Sequence, residues 1–126
     1  MGVGISLAGL AAAVANEGGI GVIAVPAIGM NEPDFFTNYL GANIRALKKE
    51  IQKARALTKG LLGVNIMVAL SNYADLVKNS VYEGIDVIFS GGGLPLDFPG
   101  LLNGDRNTQL VPPLSPGRAP TALCTD

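Results

Sequence analysis

Any chemistry in this sequence has to work without histidine, because none of its 126 residues is one. That removes the commonest general base, the commonest metal ligand and every Ser-His or Cys-His nucleophile pair. No catalytic residue and no metal site are therefore expected within the chain. What remains are residues suited to binding. Asn65 stands inside the apolar run GVNIMV. An amide buried on a strand costs a few kcal/mol unless its donors and acceptor are met, so either neighbouring backbone or a ligand above the strand end must pair with it. Ser90, Gly91, Gly92 and Gly93 follow a second apolar run, and three bare residues there permit close approach of a flat ligand or make a flexible loop. At the start, Gly2 and Gly4 precede Ser6. They can bring backbone N–H groups to an anion or an electron-rich ring edge at a helix end, or simply turn the chain. A formal G-x-G-x-x-A match at Gly19–Ala24 closes a helix and enters a strand. A dinucleotide loop does the reverse, so this match predicts a helix stop with close packing.

These residues must be positioned by alternating elements. Ser6 is expected to cap a helix with Leu7, Leu10, Ala11 and Val14 on one face, stopped by Gly18 and Gly19. A buried strand follows at Ile20–Val25. Asn43 is expected to cap a longer helix with Ile44, Leu47, Ile51 and Ala54 inward, ended by Gly60. The run LLGVNIMVAL, apolar on both faces, predicts a parallel strand covered on each side. Ser71 or Asn72 then caps a helix over Tyr73–Glu83, closed by Gly84, and strands at DVIFS and Gln109–Leu114 complete the series. Strand and helix alternating through short connections imply right-handed βαβ units and a parallel α/β sheet. In such sheets ligands sit beyond the carboxyl ends of the strands, where Asn65 and the Gly91 turn fall.

Composition narrows the partners. Hydrophobic residues make up 48% of the chain and charged ones 15%, with a net charge of −1. No Lys/Arg cluster is dense enough to track phosphates, so nucleic acid is not an expected partner. Residues 3–30 carry a single charge, Glu17, but Glu17-Gly18-Gly19 splits the run into pieces too short to cross a bilayer, so no membrane span is expected. The lone Cys124 excludes an internal disulfide and fits a reducing, cytoplasmic compartment.

The segments MGVGISLAGLAAAVANEGGIGVIAV, GVNIMV, DVIFSGGGLP and LVPPLSPGRA, in this order, resemble the opening elements of the nitronate monooxygenase (2-nitropropane dioxygenase) family, FMN-dependent (β/α)8 barrels. The resemblance covers residues 1–118 and implies about the first half of a TIM barrel, with the first strand lying before Met1. It further implies that Met1 and Gly2 end a Gly-Gly-Met turn against FMN, that Asn65 is the strand asparagine contacting the flavin, and that Gly91, Gly92 and Gly93, with Ser90 beside them, form the glycine turn facing it. Family members carry their catalytic histidine and FMN-phosphate loops in the second half of the barrel, which is absent here. The tail departs too, because Pro112, Pro113, Pro116 and Pro120 forbid a regular continuation, and residues 119–126 are expected to be a divergent, disordered tail.

Three readings of function follow. The resemblance implies a fragment of an enzyme that oxidises alkyl nitronates with O2, inactive in isolation. A related flavin-dependent enoyl reductase shares the strand asparagine and glycine turn. A non-catalytic remnant or half-barrel would instead associate with another chain, or with itself, through exposed barrel edges.

Overall fold

The computed structural model describes residues 2–93, Gly100 and 107–112; Met1, the last residues of the expected fourth strand and the tail at 119–126 lie outside them. Among the described residues the order is α1 (Ala8–Asn16), β1 (Gly21–Ala24), α2 (Tyr39–Leu57), β2 (Leu62–Met67), α3 (Tyr73–Tyr82), β3 (Val87–Gly91) and β4 (Gln109–Val111). The strands form one sheet in the order β1-β2-β3-β4, every neighbouring pair parallel. This is the α/β architecture that the alternation of elements predicts.

Strand alternation sorts the sheet into two faces. Ile23, Leu62, Val64, Ile66 and Ile88 are fully buried and join Leu47, Ile51, Leu76 and Val77 of the helices in one apolar core. By register, the opposite face carries Val22 and Ala24 of β1, Gly63, Asn65 and Met67 of β2, and Val87, Phe89 and Gly91 of β3. Met67 at 37% and Val111 at 42% exposure show that this second face is only partly covered.

The helices differ from their sequence expectations in instructive ways. Ser6 does not cap α1. Leu7 holds the cap position without a side-chain bond, and the Glu50 carboxylate of α2 accepts instead from the Ala8 N–H at 2.8 Å. A carboxylate reaching the positive end of a helix from a neighbour satisfies an orphan donor as a local cap would. Nor does α1 bury Leu10 and Val14, which are exposed; its inward stripe is Ala8, Ala11, Ala12 and Ala15. Small residues win that face because the helix backbone lies directly against the sheet. A Cβ added to Gly21 would stand 1.8 Å from the Ala11 carbonyl oxygen, and one added to Gly60 would stand 2.5 Å from that of Ala15. Gly21 is thus the close-packing glycine that the sequence predicts. Gly60 packs as well, whereas α2 has already ended at Leu57 with Thr58 extended.

Asn43 is likewise not a cap. Asn38 caps α2, its side chain accepting from the Gly41 N–H at 3.2 Å, while Asn43 lies buried within the helix. There it accepts from the Gly29 N–H at 2.9 Å and donates to the Tyr39 carbonyl at 2.8 Å. The long β1–α2 connection is pinned to α2 by this bond and by Glu32, which takes Lys49 at 2.7 Å and Arg45 at 3.5 Å, while Asp34 pairs with Arg45. Asn72 does hold the cap position of α3, without a side-chain bond, and Gly84 closes the helix at φ +77°.

Candidate functional site

The site is built at the carboxyl end of β2. Pairing places Asn65 between Ala24 of β1 and Phe89 of β3, all three on the face turned away from the helices. Ala24 is small and Phe89 only partly buried, so the amide sits in a row with little polar company. Its Oδ1 is buried and has no hydrogen-bond partner. Neighbouring backbone does not reach it, which was one of the two ways this amide could have been met. Its own carbonyl is used by the ladder, accepting from the Val25 N–H at 3.1 Å.

One row above, Met67 is the register partner of Gly91. The Gly91 carbonyl accepts from the Val68 N–H at 2.7 Å, which ties the glycine turn to the end of β2. Gly92 and Gly93 have φ of +69° and +155°, backbone that side-chain-bearing residues rarely adopt. Beyond Gly91 the space is open: a Cβ there would meet nothing within 4 Å. Asn65 and the turn therefore share one end of the sheet.

Ser90 is placed differently. It pairs with Ile66 on the helix-facing side, is buried, and its Oγ lies 2.9 Å from the Tyr73 hydroxyl of α3. Burial raises the pKa of that phenol above the ordinary tyrosine value, and the bond to Ser90 partly offsets the rise. The Ser90 side chain therefore lies on the face of the sheet opposite Asn65.

At the start of the chain, the Gly2 carbonyl accepts from the N–H groups of Ile5 at 3.0 Å and Ser6 at 2.7 Å. These bonds build a tight turn and keep both donors inside it, while Glu50 already occupies the first N–H of α1. The turn is carried to the site's edge because the Ser6 carbonyl accepts from the Ala24 N–H at 2.8 Å, beside Asn65. Met1 lies outside the described residues.

Sequence reasoning missed Met67, Phe89 and Tyr73. The first two were legible in principle, since positions two apart on a strand share a face with Asn65 or its partner. A second orphaned amide, Asn72, has both Nδ2 and Oδ1 buried without a partner, although the sequence marked it only as a cap. A cavity of about 110 Å³ lined by Leu7, Ile28, Ala46 and Glu50 is bordered by no strand residue, and so lies away from Asn65.

A family model described as nitronate monooxygenase matches residues 1–86. The chain belongs to the nitronate monooxygenase family. No protein of curated function matches it. Among solved structures it is similar to FabK from Thermotoga maritima, with 28% identity and a TM-score of 0.66 over 87% of this chain and 30% of that one. A FabK variant, M276A, from the same organism gives 29% identity and a TM-score of 0.64 over 85% and 31%. The chain thus spans under a third of the length of these structures, and its sheet and helices are a partial (β/α)8 barrel. No helix among the described residues is long and apolar enough to cross a membrane.

The family is one of flavin-dependent oxidoreductases, so a flavin is the group against which the site can be tested. The residues fit. An isoalloxazine ring is flat and edged with N–H and carbonyl groups, and its N–H edge matches a buried, unpartnered amide oxygen beside a turn with open space above it.

Proposed function

We propose that this chain is part of an FMN-dependent nitronate monooxygenase, the cofactor lying across the carboxyl ends of β2 and β3. The observation that carries the reading is the buried Asn65 Oδ1 without a partner, on the open face of a sheet in a flavin-dependent family. FMN, when bound, supplies the chemistry: it takes two electrons from an alkyl nitronate and passes them to O2. The chain's own residues bind and orient. Asn65 holds the ring edge by hydrogen bonding, and relief of its desolvation is gained only when ligand is present. Gly91 leaves room for the ring, while Gly92 and Gly93 let the backbone turn beneath it. Gly2, whose turn is joined to Ala24 through the Ser6 carbonyl, is assigned to the same ring in this scheme.

None of these residues moves a proton. With no histidine anywhere in the chain, the general base is assigned to the rest of the barrel. The chain alone is therefore proposed to bind FMN weakly and not to turn over nitronates. The similarity to FabK at 28% identity favours a second reading, a flavin-dependent enoyl reductase, in which the same residues hold the same ring. Parallel assays on a full-length relative separate the two: O2 consumption with an alkyl nitronate supports the first, and reduction of an enoyl thioester without nitronate oxidation supports the second. A full-length relative purified without flavin and unable to take it up would remove both.

A further inference from the structure

We propose that the Tyr73 hydroxyl positions the Gly91–Gly93 turn through Ser90, acting from the side of the sheet opposite the candidate site. The functional meaning of that turn rests on the flavin reading, but the positioning role rests on the geometry alone.

Two glycines at positive φ follow Ser90 and Gly91, and they carry no side chains to choose their path. Such residues have the most conformational freedom to lose on ordering, so their course must be set by what holds the chain before them. Two consecutive residues are held there. The Gly91 carbonyl accepts from the Val68 N–H at 2.7 Å, and Ser90 Oγ meets the Tyr73 hydroxyl at 2.9 Å. One anchor comes from the β2–α3 connection and the other from the first residue of α3. That connection is itself short and internally bonded, the Leu70 N–H donating to Met67 and the Tyr73 N–H donating to Leu70. Tyr73 is the first residue of α3, and the buried Leu76 and Val77 of that helix lock it to the core. Ser90 lies at 2% exposure, so its hydroxyl has no access to solvent as an alternative partner. The end of β3 is thus fixed from below by α3 and from the side by β2, and the glycine turn leaves from a clamped base.

A bond that only satisfied two buried hydroxyls would, when removed, weaken the domain as a whole; one that positions the turn would loosen residues 91–93 first. Hydrogen exchange read by peptide on the 126-residue chain distinguishes these, whether the chain is monomeric or associated. In Tyr73→Phe the Val68 amide, which donates to the Gly91 carbonyl, should exchange about five- to tenfold faster, the size of one lost hydrogen bond, with Gly21–Ala24 and Leu62–Ile66 unchanged. Ser90→Ala should do the same, the double variant should add nothing to either single, and Ser90→Thr, which keeps the hydroxyl, should stay close to the parent. Unchanged exchange at Val68, a uniform rise across the strands, or additive effects in the double variant would each overturn the proposal. FMN titrated into a flavin-stripped full-length relative, followed by fluorescence quenching, tests the flavin reading separately. Failure to bind there removes that reading and leaves the result at the turn standing.

Discussion

Gly21 and Ala11 are in such close contact that a single methyl group cannot fit between them: a Cβ on Gly21 would lie 1.8 Å from the Ala11 carbonyl oxygen. The obstacle is helix backbone, which cannot swing aside as a side chain can. Gly21→Ala is expected to cost more than about 3 kcal/mol, beyond ordinary overpacking. Gly9, on the same helix, is the control, because a Cβ there meets nothing within 4 Å. Gly9→Ala should stabilise by roughly 0.5–1 kcal/mol through helix propensity. Urea denaturation of the two variants checks the contrast, and similar effects in both would show that α1 does not lie where described.

Asn43 bridges the Gly29 N–H and the Tyr39 carbonyl from a buried position. Asn43→Ala leaves both backbone groups without that partner and is expected to cost about 1–3 kcal/mol. Because Gly29 belongs to the β1–α2 connection, exchange at residues 29–38 should rise before that of the strands. Equal loosening everywhere would contradict the pinning role.

The same connection carries a pH dependence. The hydrogen bond from Lys49, helped by the charges of Lys49 and Arg45, holds the Glu32 carboxyl below the ordinary carboxylate range, against the opposing effect of desolvation. A group whose folded pKa is depressed contributes stability above its unfolded value, about 4.3 for Glu, and loses it as pH falls through the lower folded value. Acidification through that window should therefore loosen residues 29–38, and raised salt at neutral pH should mimic it in part. In Glu32→Gln the acid-dependent step should vanish from the exchange profile of this segment. Its persistence would assign the step to another carboxylate.

Partly covered apolar residues on the inner face, among them Met67 and Val111, lie on a sheet whose β1 and β4 have neighbours on one side only among the described residues. Open edges and wet apolar surface favour association, and a net charge of −1 offers little repulsion. We expect the isolated chain at micromolar concentration to self-associate or aggregate. Light scattering after size exclusion checks this, with Val111→Lys expected to shift the population toward monomer. A monodisperse parent monomer would count against the expectation.

The alternation of strands and helices was legible because apolar runs of strand length and capped, periodic segments follow one another at short spacing. Asn65 was legible as an anomaly for the same reason, a lone amide in an apolar run. That neighbouring backbone leaves its Oδ1 unmet was not, because that depends on Ala24 and Phe89, brought beside it by pairing across 41 and 24 positions of sequence. The caps failed for a related reason. Ser6 and Asn43 have the right chemistry for helix ends, but the Glu50 carboxylate and the Gly29 N–H, both distant in sequence, decide what those positions do. Ser90 shows the limit most clearly: its place beside three glycines says nothing of the face its hydroxyl takes, which strand parity and Tyr73 determine.

The central claim is that the partner of Asn65 is a flavin. In a full-length member of the family, the asparagine matching Asn65 is replaced by alanine, and flavin absorbance and thermal melting are read from the same sample. An amide kept for a ligand predicts that bound flavin falls at least tenfold while the flavin-free protein melts at an unchanged or slightly higher temperature, since an unpartnered buried acceptor has been removed. Unchanged flavin content together with a loss of roughly 1–3 kcal/mol in the flavin-free protein would show instead that the asparagine serves the fold, and would contradict the account.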